Sequence, residues 1–159
     1  MYFEHAVVIN EPGNPLVTPL SIEQLWNGLV LRAEAPDLFL DHVDEVRILE
    51  RSAGVLLREM QMGNLMVRDR IKLTPHQSVH HDTEANEQHQ GGTLTITIEV
   101  PEAEQLLVRF VYNTPVEEHD PQAGEGEANY VAYLKAAYRN MDVEALRKIR
   151  SMAEAGELG

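Results

Sequence analysis

Two charged residues that a hairpin would set face to face, and seven histidines with no cysteine, bound the chemistry open to this chain. The histidines are His5, His42, His76, His80, His81, His89 and His119. None forms a His-x-x-x-His pair on a helix, and none completes a Glu-x-x-His motif. His80 and His81 are adjacent in an expected strand, so their rings point to opposite faces and do not easily share an ion. We read His81 as the inward one. Without cysteine there is no disulfide framework, thiol nucleophile or thiolate metal site. There is no Gly-x-Ser-x-Gly elbow. Gly91-Gly92 leads into no helix carrying Lys-Ser/Thr, so it is not a phosphate loop. No metal and no cofactor is expected.

The charged pair is Arg58 and Asp69. Val55 to Met62 and Leu65 to Leu73 alternate with period two and meet at Gly63-Asn64, a tight-hairpin signal. With Met62 opposite Leu65, counting back sets Met60 against Val67, Glu59 against Arg68 and Arg58 against Asp69. Paired residues share a face, and faces alternate along a strand. One face then carries Leu56, Arg58, Met60, Val67, Asp69, Ile71 and Leu73. The other carries Leu57, Glu59, Gln61, Arg68, Arg70 and Lys72. The first is the more apolar and should face inward, with Arg58 and Asp69 together on it. A slip of one residue would turn Val67, Ile71 and Leu73 to water, which fixes the register. Such a pair serves either as a structural ion pair or as a ligand anchor, with Asp69 orienting the guanidinium toward a carboxylate or carbonyl.

These residues need elements to hold them. Tyr2 to Asn10 reads as a strand with Phe3, His5, Val7 and Ile9 on one face, broken by Glu11-Pro12-Gly13. Ser21 caps a helix in a capping box with Gln24, and Leu25, Trp26, Leu29, Val30 and Ala33 follow at helical spacing. Pro36 ends it or starts a short turn through Phe39. Strands follow around Val46–Ile48, in the hairpin, near Val79, over Thr93–Val100 and over Leu106–Tyr112, where Val108, Phe110 and Tyr112 share a face. One-faced alternation means an antiparallel sheet with one wet side. Glu84 to Gly92 reads as a loop or a frayed hairpin end, and the acidic Pro115 to Gly126 as a mobile linker. The last stretch, Glu127 to Leu158, reads as one long helix. Its apolar stripe is Tyr130, Leu134, Ala137, Tyr138, Met141, Ala145, Ile149 and Met152. Tyr112, Tyr130, Leu134 and Tyr138 are candidates to line a pocket between sheet and helix. The class is α+β, with six or seven curved antiparallel strands against a long C-terminal helix.

Composition narrows the function. The chain has 159 residues and is 43% hydrophobic, as expected of one globular domain spanning 1–159. No apolar run is long enough for a membrane span. The start, Met1-Tyr2-Phe3-Glu4-His5, has neither the basic nor the apolar region of a signal peptide, so a cytoplasmic protein is expected. A formal charge of −13 repels phosphate backbones and anionic membrane surfaces. No nucleic acid and no membrane insertion is expected.

The order of elements resembles the helix-grip fold of the START-like (SRPBCC) superfamily of lipid-transfer proteins, pollen-allergen relatives and polyketide cyclases. Pro19-Leu20-Ser21-Ile22-Glu23-Gln24-Leu25-Trp26 and Leu31-Arg32-Ala33-Glu34 resemble its AtaL-like branch. So do Arg58-Glu59, Val67-Arg68-Asp69-Arg70, Val108-Arg109-Phe110-Val111-Tyr112 and Ala137-Tyr138-Arg139. The resemblance spans nearly the whole chain and rests on order and spacing. It implies a sheet gripping the last helix around a hydrophobic cavity, and it carries over no catalytic residue. The first functional reading is a binding protein for a lipophilic or aromatic small molecule, with Arg58, Asp69, His81, Tyr112, Tyr130, Leu134 and Tyr138 at the ligand. The second is a cyclase, aromatase or dehydratase-like enzyme of the polyketide type, in which the cavity folds a reactive chain and polar side chains move protons. A histidine-containing cluster in the cavity would favour it. The third is a structural or stress-linked protein that binds other proteins. A homodimer is left open.

Overall fold

The computed structural model of the protein describes residues 1–118 and 125–159, with the backbone alone for 125–129. Strand β1 spans Tyr2–Asn10. Its end is held by the Asn10 side chain, which accepts from the Leu20 N–H (2.9 Å) and donates to the Leu20 carbonyl (2.7 Å). Helix α1, Ile22–Glu34, starts where the capping box requires. Ser21 Oγ accepts from the Gln24 N–H, and Gln24 Oε1 accepts from the Ser21 N–H, both at 3.0 Å. Leu25, Trp26, Leu29 and Ala33 form its buried face. Pro36 sets off a single 3-10 turn, Pro36–Leu38, since proline cannot supply the next helical N–H.

Six further strands follow: β2 Glu45–Ser52, β3 Val55–Met62, β4 Leu65–Thr74, β5 Ser78–Thr83, β6 Gly92–Glu99 and β7 Leu106–Asn113. They and β1 make one curved antiparallel sheet in the order β1-β7-β6-β5-β4-β3-β2. The β3–β4 register is the expected one, with Met62 opposite Leu65 and Arg58 opposite Asp69. Gly63 takes a φ of 60°, a conformation a tight hairpin loop needs and a side chain disfavours. The concave face buries Leu56, Ile71, Val79, Ile96, Val108 and Phe110, each at most 1% exposed. The convex face carries ion-pair triads instead. Glu59 lies between Arg47 and Arg68, and Arg109 between Glu4 and Glu99. The two arginine side chains cover Glu59 enough to bury it, although it lies on the wet face as expected.

Helix α2 spans Glu125–Glu154 and lies along the concave face. It stops before the expected Leu158. Gly156 takes a φ of 75°, and the Glu157 N–H returns to the Met152 carbonyl at 2.9 Å, which closes the helix with a glycine cap. The chain then turns back, and Leu158 is buried. The stripe also differs from the expected one. Ala145, Leu146 and Ile149 are buried, but Leu134, Ala137, Tyr138 and Met141 are only half-buried and Tyr130 is 55% exposed. The cause is a gap between this half of the helix and the sheet, described below. Of the acidic linker, residues 119–124 lie outside the described residues. The preceding Thr114 is tied to the Met1 carbonyl through its N–H, and Val116 packs on the core. No helix among the described residues is long and apolar enough to cross a membrane.

Candidate functional site

Three rungs across the concave face bring the polar residues of the interior together. One runs Arg58, Asp69, Thr83. The next runs Leu56, Ile71, His81, Leu94, Tyr112, Phe3. The third runs Leu73, Val79, Ile96, Phe110, His5. Neighbouring strands lie about 4.8 Å apart, so the His81 and Tyr112 backbones, two strands apart, are separated by roughly 10 Å.

Arg58 and Asp69 form a buried bidentate pair, 4% and 3% exposed. Nε donates to Oδ1 at 3.0 Å and Nη2 to Oδ2 at 2.6 Å, while Nη1 donates to the Ala33 carbonyl at 2.9 Å. Every nitrogen of Arg58 is thereby engaged, which ties the hairpin to the end of α1. His81 is buried beside the pair, its Nδ1 3.8 Å from Asp69 Oδ2. Burial raises the Asp69 carboxyl, but the His81 ring and the Arg58 guanidinium outweigh it and hold the carboxyl below its usual range. For His81 burial dominates. It lowers the imidazole to about 4, and the Arg58 and Arg32 charges push the same way, so the ring is neutral at neutral pH. At 3.8 Å the Asp69 carboxylate is beyond hydrogen-bond range of Nδ1, but its charge favours the tautomer with the proton on that side, which leaves Nε2 as an acceptor. Nε2 is buried and has no partner among the described residues.

A second cluster centres on Asp142, which is fully buried in the middle of α2. Its Oδ2 accepts from the Tyr112 hydroxyl at 2.6 Å and meets His5 Nε2 at 2.7 Å. Its Oδ1 has no hydrogen-bond partner among the described residues and faces Arg32 Nη2 at 3.6 Å. Burial, and then the Asp142 charge, raise Tyr112 well above the ordinary phenol range, so it remains a donor. Tyr138 stacks on Tyr112 with ring centroids 4.4 Å apart. Its own hydroxyl is raised too, first by burial and then by Tyr130 and Asp142.

Between the sheet and the N-terminal half of α2 lies a cavity of about 540 Å³. All seven expected site residues, Arg58, Asp69, His81, Tyr112, Tyr130, Leu134 and Tyr138, border it. Tyr130 does so from the solvent side. Met60, Val67, Leu94, Phe39 and Met141 supply apolar wall, and Arg32 supplies a guanidinium. Sequence reasoning missed Arg32, Asp142 and His5. A signal for Asp142 was present. It sits four residues after Tyr138 and three before Ala145, so a carboxylate occupies the middle of an apolar stripe and must be buried with partners. His5 was on the expected inner face of β1, but its partner lies 137 residues away. No group of three or more His, Asp or Glu among the described residues is disposed to hold a metal ion.

A seven-stranded antiparallel sheet gripping a long C-terminal helix around a cavity defines the START-like helix-grip superfamily. Within it, the chain belongs to the AtaL family, described as acetylaranotin biosynthesis cluster protein L, whose model matches residues 7–156. Solved structures with the same fold include the di-domain ARO/CYC StfQ from the steffimycin biosynthetic pathway. Its TM-score is 0.66 at 17% identity, covering 97% of this chain and 51% of that one. The chain thus spans about half the length of StfQ. The Zhui aromatase/cyclase from Streptomyces sp. R1128 gives a TM-score of 0.61 at 17% identity, covering 97% and 93%. Ara h 8.0201 gives 0.59 at 11% identity, covering 95% and 98%. At these identities the likeness is one of fold. No curated protein matches the chain.

Proposed function

We propose that this chain, acting as one domain, binds a lipophilic or aromatic small molecule in the cavity between sheet and α2. The observation that carries this reading is the cavity itself, about 540 Å³ with largely apolar walls and a few polar groups at fixed positions. That size and lining suit a ring system of drug-like dimensions. Native mass spectrometry of the protein purified from its own host tests it. The expected result is a co-purifying small molecule, lost on denaturation. An environment-sensitive dye should also bind the native protein at one site and be displaced by aromatic ligands. Absence of any bound molecule and of any dye binding would refute the reading.

The presence of a histidine in the cavity supports the cyclase- or dehydratase-like reading as a second one. There, His81 Nε2 would take a proton from a carbon beside a ligand carbonyl and return it to a departing hydroxyl, releasing water. The physics disfavours it. A general base works best with a pKa near the operating pH. An imidazole lowered to about 4 beside two guanidinium groups is a good acceptor but a poor place to store a proton. Binding is therefore the reading we prefer. Turnover of an aromatic polyketone by the native protein, abolished in His81→Phe, would reverse that order.

A further inference from the structure

We propose that Arg32 and His81 together read a neutral ligand head, Arg32 donating to a carbonyl oxygen and His81 Nε2 accepting from a hydroxyl. The proposal rests on the small-molecule reading above and says which small molecules. Three observations converge on it. First, Arg58 is already committed, because three of its five N–H groups donate to Asp69 or to the Ala33 carbonyl and fix the guanidinium in place. Arg32 borders the same cavity and is not so engaged. Its ion-pair partner among the described residues, Asp142 Oδ1, lies at 3.6 Å, beyond hydrogen-bond range. Second, His81 borders the cavity, and its Nε2 is a buried polar atom without a partner among the described residues. Leaving such an atom unsatisfied is costly, and a ligand that satisfies it gains the difference. The charge of the Asp69 carboxylate, 3.8 Å from Nδ1, favours the proton on that nitrogen, so Nε2 calls for a donor. Third, the charges already balance. Arg32 and Arg58 face Asp69 and Asp142 as two cations and two carboxylates. A ligand carboxylate would add a third negative charge to an apolar site and would offer Nε2 no proton.

The ligand class that meets these demands is a lipophilic ring system bearing both a ketone and a hydroxyl. Asp142 positions Arg32 from behind, and Asp69 sets the tautomer of His81. Neither needs to touch the ligand.

Binding of matched probes to the full chain, followed by ligand-observed NMR, tests this. The probes are tetralone, a set of hydroxytetralones differing in hydroxyl position, and naphthoate. At least one hydroxytetralone should bind about tenfold more tightly than tetralone, as one well-placed buried hydrogen bond allows. Naphthoate should bind more weakly than either. His81→Phe should erase the preference for the hydroxyl, and Arg32→Met should weaken tetralone itself. The comparison among ligands in the unaltered protein does not depend on whether the variants fold. Equal affinity of tetralone and every hydroxytetralone, or a preference for naphthoate, would overturn the proposal and leave the small-molecule reading standing. Failure of all the probes, tetralone and naphthoate included, would bring down both.

Discussion

Removing the charge of Asp69 would leave the Arg58 guanidinium buried without its carboxylate partner. Breaking a buried pair from one side typically costs about 3–5 kcal/mol. Asp69→Asn should therefore lower the urea midpoint sharply. Glu59→Gln, on the convex face between two arginines that reach solvent, should lower it much less. Comparable losses in the two variants would show that the inner pair has no special weight. His81 gives a pH signature. Its folded value of about 4 lies below the ordinary value of 6.5. The unfolded chain therefore binds more protons than the folded one between those limits, and stability rises with pH across that window. Acidification from pH 6.5 to 4 should remove about 3 kcal/mol, since each pH step of one across the window costs about 1.4 kcal/mol. Asp69, itself lowered, adds a further loss only at more acidic pH. Urea midpoints measured at pH 7 and pH 4.5 should converge in His81→Phe, and an undiminished fall in that variant would assign the effect elsewhere.

At the scale of elements, the packing of α1 on α2 turns on one glycine. A Cβ at Gly28 would stand 2.5 Å from Ile149 Cγ2 and 2.8 Å from Cγ1. Those atoms branch from a stiff Cβ and cannot swing aside. Gly28→Ala should cost roughly 1–3 kcal/mol from overpacking, despite the better helix propensity of alanine. Adding Ile149→Val should return part of that loss, and strict additivity of the two changes would argue against their contact. Elements were also where the sequence was most legible. The capping box at Ser21, the β3–β4 register and the inward face of β7 could be read because each rests on local spacing. The end of α2 could not, since Gly156 acts through a positive φ that the apolar stripe does not register. Nor could the Asp142 cluster, because its members come from β1, α1, β7 and α2 and only the folded chain brings them together.

For the whole molecule, a charge of −13 on 159 residues sets the outer behaviour. It should keep the protein off DNA and RNA at physiological salt, since no counterions are released by an acidic surface. A gel shift at sub-micromolar protein that weakens with salt would contradict this. The same acidic excess does not extend inward, where cations and carboxylates match. Surface charge was legible from composition alone. The balanced interior was not, because composition does not say which arginines fold inside.

Helix α2 is divided along its length. Toward its C-terminal end, Ala145, Leu146 and Ile149 are at most 4% exposed and lock onto the core. Toward its N-terminal end, Tyr130, Leu134, Tyr138 and Met141 face the cavity and are only partly covered. Substitution in the second group removes little buried contact, so its sequence is free to drift while the first group is held. A lineage could in this way exchange one ligand for another by single steps along one helix face, with no intermediate that fails to fold. A designer could use the same freedom, varying positions 130, 134, 138 and 141 as a library and leaving Val131, Asp142 and 145–149 untouched.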